Sequence, residues 1–188
     1  MSKRDIVLHT CCAPCAGWCV QKLIEDNWRV ILYYSNDNLC SQEEFCRRLD
    51  SVKILAEHFD TDLEVDPYDN ASWMSDICGL EDEPERGKRC EKCFRHSLSR
   101  TSAFAEKFQA AFTTSLTVSP YKSSDLIFST GKSLGNFAEY NFKKQNGYLN
   151  STRIATELGF YRQNFCGCIM SARRAYEKKS TENDSASE

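Results

Sequence analysis

The chain has 188 residues, 41% hydrophobic and 27% charged, with a net charge of −3 and eleven cysteines. That length supports one ordinary hydrophobic core without covalent help, and no apolar run is long enough to span a bilayer. The opening MSKRDIVLHTCC turns polar too soon for a secretion signal, so a cytoplasmic location is expected, where thiols serve metal or redox chemistry rather than a disulfide framework.

Asp5–Thr10 is a short apolar run of the kind that makes a buried strand. Pro14 fits the first turn of a helix whose apolar residues Val20, Leu23 and Ile24 recur at helical spacing. Arg29–Tyr34 reads as a second strand, and SNDN after it is loop chemistry. Phe45, Leu49, Val52, Leu55, Ala56 and Phe59 form the stripe of a helix over 43–59, and Asp62–Val65 reads as a third strand. An irregular acidic stretch then runs from Pro67 to Arg89, with one short helix expected around 72–78. A helix over about 90–108, a strand over 110–115 and a long helix over about 125–145 follow, the last in spite of Gly131 and Gly135. Asn150 or Ser151 is the expected N-cap of a further helix, which Gly159 would close.

This alternation predicts an α/β fold: a single domain over 1–179 with a Rossmann-like (HUP-like) parallel sheet flanked by helices and a helical C-terminal part. Residues 180–188 read as a disordered acidic tail. Ligands of such sheets sit at the carboxyl ends of the strands. Cys11 and Cys12 directly follow the first strand, and Asn36, Asp37 and Asn38 follow the second, so both groups are expected at that edge.

Cys90 and Cys93 form a C-x-x-C pair among Lys88, Arg89 and Lys92, whose charges favour thiolates. Together with Cys11 and Cys12 they offer four soft ligands, which suit tetrahedral zinc or a [4Fe–4S] cluster. Spacing alone leaves both open. One arm is vicinal rather than a second C-x-x-C knuckle, and a third group, Cys166-Gly167-Cys168, has no use in a structural zinc site. Glycine allows the tight bend of a C-x-C disulfide, and so strained a bond is easily reduced. A cluster beside a redox-active pair favours an electron-transfer enzyme. Cys15 completes C-x-x-C with Cys12 and is either a ligand of a further metal or a packing residue. Cys19, Cys40, Cys46 and Cys78 read as fillers or surface thiols, His9 as a hydrogen-bonded structural residue, and His58 and His96 as surface residues. No dinucleotide or phosphate-loop motif is present.

Charge is divided along the chain. Residues 1–85 hold 7 Lys+Arg against 18 Asp+Glu, and residues 86–179 hold 17 against 6. The basic half either cancels the acidic half or faces a polyanion.

The motifs LHTCCAPC, ERGKRCEKCF, TTSLTVSPYK, FKKQNGY and YRQNFCGC, in this order over about residues 5–176, resemble those of the cobalamin-independent epoxyqueuosine reductases, the QueH-type enzymes. His96 and Ser97 stand where an Arg-Leu pair is commoner in that family. The resemblance implies reduction of the epoxide of epoxyqueuosine, at the wobble base of a tRNA anticodon, to queuosine. It implies a [4Fe–4S] cluster on Cys11, Cys12, Cys90 and Cys93, a redox-active pair in Cys166 and Cys168, and a further metal ion near Cys15. The partners would be tRNA and an electron donor. Lys122, Lys143, Lys144, Tyr161 and Arg162 become candidate substrate contacts, and Tyr161, His9 and Asp37 candidate proton donors. A zinc-stabilised nucleic-acid-binding module and a small-molecule thiol oxidoreductase are the alternatives.

Overall fold

In the computed structural model, residues 3–185 are described, with side chains through residue 177. The strands are β1 (Arg4–His9), β2 (Trp28–Tyr34), β3 (Asp62–Val65) and β4 (Ala111–Thr114), in the order β3-β2-β1-β4 and all parallel. The helices are α1 (Ala13–Glu25), α2 (Gln42–His58), α3 (Asn70–Asp76), α4 (Lys88–Glu106), α5 (Ser124–Lys132), α6 (Gly147–Glu157) and α7 (Ile169–Ser185), with a short 3-10 turn over Ser115–Val118. This is the expected Rossmann-like α/β domain with a helical C-terminal part. Of the expected tail, 180–185 continue α7, and 186–188 lie outside the described residues.

The period-two alternation of a strand divides the core into two layers. Ile6, Leu8, Val30, Leu32 and Tyr34 point to one face, where α1, α2 and α6 cover them. Val7, Ile31, Tyr33 and Phe112 point to the other, where α4 and α5 cover them. The chain therefore leaves β1 over one face and reaches β4 over the other, opening a crevice between the carboxyl ends of these neighbours. His9, the last residue of β1, pairs in register with Tyr33 and Thr114.

The long helix expected over about 125–145 is a correction. Helix α5 ends at Lys132, and Gly135 follows with φ +123°, a conformation that side-chain-bearing residues rarely adopt. The following segment pairs with the edge of β4: the Phe112 N–H donates to the Asn136 carbonyl at 3.0 Å and the Ala138 N–H to the Phe112 carbonyl at 2.8 Å. Unpaired edge groups of β4 thus take the chain out of the helix. Helix α6 also begins earlier than expected, with Asn146 in the left-handed region as its N-cap, and Gly159 follows its end as expected. Ser151 lies inside it and joins it to α1: its Oγ accepts from the Trp18 N–H at 3.3 Å and donates to the Cys15 carbonyl at 3.4 Å.

His96 is not a surface residue. It is buried on α4, with Nε2 3.1 Å from Asp37 Oδ2 and Nδ1 2.7 Å from Asp76 Oδ2. Arg100, one turn on, donates to Asp66 at 2.6 Å and stands 3.4 Å from Asp37. The Asp69 backbone N–H donates to Asp37 Oδ1 at 2.9 Å. One buried carboxylate thus ties the loop after β2 to α3 and α4.

Burial works against a charged His96, but the hydrogen bonds to Asp37 and Asp76 outweigh it and hold the imidazolium above its usual range. A raised folded-state pKa gives stability that is present below the unfolded value of about 6.5 and lost as pH rises through the folded one. His96→Gln should therefore lower stability by roughly 1–3 kcal/mol near pH 6, with a smaller loss near pH 9. Denaturant unfolding of both proteins at the two pH values checks this; an equal loss at both would contradict it.

Candidate metal and redox site

Cys11 and Cys12 lie between β1 and α1, and Cys15 lies in the first turn of α1, where Pro14 is well suited. Cys12 is the N-cap residue, in extended conformation and without a side-chain cap bond, so its thiol is free for other partners. The three Sγ atoms lie within 4.8 Å of one another, and the group can hold a metal ion. Their position at a helix N-terminus favours negative charge. That charge settles on Cys12: thiol hydrogen bonds from Cys11 and Cys15, the Arg48 charge and the Gln163 amide hold its pKa well below the usual thiol value. Cys11, which donates to Cys12, is pushed up to about 12, and Cys15 is raised as well.

Residues that sequence reasoning did not single out complete this wall. The Cys11 N–H donates to Ser115 Oγ at 3.2 Å, and Ser115 Oγ lies 3.4 Å from Cys11 Sγ. Gln163 Nε2 donates to Cys12 Sγ at 3.3 Å. Arg48, on α2, is buried and lines the same cavity. The signal for Arg48 was present: Glu44 and Arg48 are charged residues on the face of α2 that carries Val52 and Leu55, so they had to be buried as a pair.

The cavity has a volume of about 410 Å³ and is bounded by Cys11, Cys12, Cys15, Cys93 and Cys166, with Tyr121, Lys122 and Tyr148 among its other walls. An adjoining hollow of about 170 Å³ shares Cys93, Cys166, Tyr121 and Lys122 with it and adds Cys90 and Cys168. The structure therefore brings all three sequence-predicted cysteine groups to one recess. Cys90 and Cys93 stand on the first turns of α4, where Cys90 Sγ accepts from the Arg86 N–H at 3.2 Å. Burial raises the pKa of both thiols. Cys93 and Cys168 share a small apolar cluster with Trp73 and Ile77.

Lys122 reaches this recess from the loop before α5. Burial opposes its charge, and the surrounding Cys166, Cys11, Cys15 and Cys12 more than restore it, so its pKa is raised. Lys143 supports that loop from behind, donating to the Lys122 carbonyl at 2.5 Å and to Ser124 Oγ at 3.1 Å. Lys144 and Arg162 are exposed. Tyr161 is engaged inside the protein: its hydroxyl donates to Glu44 at 3.0 Å and its ring lies 4.1 Å below the Arg47 guanidinium. Arg89 is buried, donating to the Glu81 and Glu83 carbonyls at 2.8 and 2.6 Å, and so braces the acidic loop.

His9 is the structural residue expected. The Ser35 carbonyl, 3.2 Å away, can only accept, so Nε2 carries the proton and Nδ1 accepts from Thr114 Oγ1 at 2.9 Å. Burial drives its pKa down to about 4. Asp37 faces His96 rather than the cysteines. Cys19 is buried and Cys46 and Cys78 are exposed, as expected for fillers and surface thiols. No helix among the described residues is long and apolar enough to cross a membrane.

Comparison with known proteins bears on the same stretch of chain. Relatives named epoxyqueuosine reductase QueH include that of Streptococcus pyogenes serotype M1, 32% identical over an alignment of 184 positions that covers 91% of this chain and 71% of the relative. That of Thermotoga maritima is 30% identical over an alignment of 182 positions that covers 92% of this chain and 93% of the relative. That of Haemophilus influenzae is 29% identical over an alignment of 177 positions that covers 90% of this chain and 72% of the relative. The family model described as epoxyqueuosine reductase QueH matches residues 6–174, a span that includes every cysteine of the recess, and the chain belongs to this family of oxidoreductases.

Proposed function

We propose that this protein reduces the epoxide of epoxyqueuosine in the anticodon loop of tRNA, at the wobble position, to the alkene of queuosine in the cytoplasm. The observation that carries this is the meeting of thiols from three distant segments in one recess, in a chain of this family. Cys11, Cys12, Cys90 and Cys93 would hold a [4Fe–4S] cluster, and Cys15 a second metal, for which iron is the natural candidate. The donor set fits: the thiols are soft and largely shielded from water, and the cations Lys122 and Arg48 stand among them to offset the charge of thiolates and sulfide. When bound, such metal centres supply single electrons and Lewis acidity.

The chain's own residues do the rest. Removing the epoxide oxygen breaks both C–O bonds, forms the C=C bond and consumes two electrons and two protons, with the oxygen leaving as water. Oxidation of the Cys166 and Cys168 dithiol to a disulfide yields two electrons and two protons, and an external reductant restores the dithiol. Lys122, protonated and facing the cysteines, orients the substrate oxygen by hydrogen bonding. The wobble base lies in a single-stranded loop and can be splayed into the cavity without opening a duplex. Tyr121 and Tyr148, exposed at the cavity wall, offer faces on which it can stack. Lys88, Lys144, Arg162 and Arg173 are exposed and available to tRNA phosphates.

Protein purified without oxygen should contain about four acid-labile sulfides and about four irons, or five where iron also fills the second site, with the visible absorption of a cluster, and Cys90→Ala should lose the sulfide and that absorption. Tightly bound zinc with no iron in the wild type would refute the cluster. Cys166→Ser should retain the cluster spectrum and lose turnover on epoxyqueuosine-bearing tRNA with an external reductant; full activity would rule out the dithiol as electron source. Tyr121→Ala should weaken binding of a modified anticodon stem-loop by about tenfold, in keeping with roughly 1–3 kcal/mol per stacked base, without changing the slope of affinity against salt. Fluorescence anisotropy across a salt series separates these two effects.

A further inference from the structure

Arg48 is a buried cation in a protein that could fill the same space with carbon. Replacing buried ion pairs by well-packed apolar groups is often neutral or stabilising, so stability alone does not account for it. Its Nε donates to Glu44 Oε1 at 2.6 Å, and Glu44 Oε2 in turn accepts the Tyr161 hydroxyl at 3.0 Å. Its Nη1 donates to the Cys166 carbonyl at 3.3 Å, its guanidinium carbon lies 5.5 Å from the centre of the Phe165 ring, and its Nη2 has no partner within the protein. The guanidinium is thus fixed from behind and applied to the backbone of the C-G-C segment.

That segment is held elsewhere too. The Cys166 N–H donates to Ser171 Oγ at 3.0 Å, and the Gly167 carbonyl accepts from the Cys40 N–H at 2.9 Å. Gly167 has φ +138°, and a Cβ there would come within 2.6 Å of Leu39 Cδ2 and 3.2 Å of Arg48 Nη1. Three hydrogen bonds and a close approach therefore fix the peptide units between two thiols that are both free. Closing a C-x-C disulfide demands a particular backbone bend, and anchors that hold the peptide units while both thiols are free resist any adjustment the bond requires, which makes it strained and easier to reduce.

We infer that Arg48 is a positioning residue for the Cys166 and Cys168 pair: anchored by Glu44 and Tyr161, and acting with Ser171 and the Cys40 amide, it holds the segment in its open dithiol form and thereby shifts the pair towards reduction. This rests on the reading of the pair as redox-active. In closing, the two thiols form an Sγ–Sγ bond and give up two protons and two electrons. A disulfide oxidant such as oxidised glutathione takes these up and becomes two thiols.

The test is thiol–disulfide equilibrium of the metal-loaded protein in glutathione buffers without oxygen, followed by alkylation and mass spectrometry of the peptide containing both cysteines. Arg48→Lys keeps the charge and loses the fork. Ser171→Ala removes a different anchor and no charge, and stands as the second variant should the first fail to fold. Each should shift the equilibrium towards the disulfide by about tenfold, which is about 30 mV for a two-electron couple. Glu44→Gln, which loosens the anchor of Arg48, should shift it the same way by less. Equilibria in folded Arg48→Lys and Ser171→Ala that match the wild type would overturn the inference. A wild-type pair that never closes would instead overturn the redox reading on which it rests.

Discussion

Strand β1 is hydrogen-bonded on both sides, to β2 and to β4, and both neighbours run parallel to it. The helix that follows β1 goes to one face, while the helix that feeds β4 comes over the other, so the carboxyl ends of the two strands stay uncovered. Every part of the recess depends on that gap. Cys11 and Cys12 occupy it because β1 ends at His9, and Ser115 reaches Cys11 because β4 ends at Thr114. A slip of one residue in β1 would exchange Ile6 and Leu8 for Val7 and His9 between the two cores, so the hydrophobic pattern that builds the sheet also fixes where the thiols emerge.

The split between an acidic and a basic half acquires a physical meaning in three dimensions. Part of it is consumed inside the domain. His96 and Arg100 from the basic half answer Asp37, Asp66 and Asp76 from the acidic half, and Arg89 is bound to main-chain carbonyls of the acidic loop. These bonds draw α3, the loop after β2 and the acidic connection onto α4, the helix that carries Cys90 and Cys93. Basic residues left at the surface are a smaller set than the sequence count suggests, and they include Lys88 at the start of that helix.

Strands β1 and β2 and helices α1 and α2 were legible in the sequence because each carries an apolar run or a helical apolar stripe and is bounded by turn chemistry. The stretch 133–146 was not. Phe137, Ala138, Tyr140 and Phe142 continue the hydrophobicity of α5, but the competing pull, hydrogen bonds from the edge of β4, comes from residues more than twenty positions earlier. In the site, spacing revealed the thiols, since metal and disulfide geometry constrain cysteines that lie near one another in the chain. Ser115 and Gln163 have no such spacing, and Arg48 was marked only by its charged place beside Glu44 on the apolar face of α2. Their partners are contributed by the fold, as are those of His96, which sits 59 residues from Asp37 and looks like any polar residue of an amphipathic helix.

His9 closes the edge of the sheet between the ends of β2 and β4, with its proton on Nε2 and its pKa down near about 4. A residue type often used to sense pH is here fixed in its neutral form, committed to a carbonyl and a hydroxyl. His9 therefore adds no charge beneath the recess near neutral pH. Mild acidification neither adds charge beneath the vicinal cysteines nor loosens the seam between the strands. Arg48 and Lys122 stand as cations among the thiols, and the sheet serves as an inert mount for them.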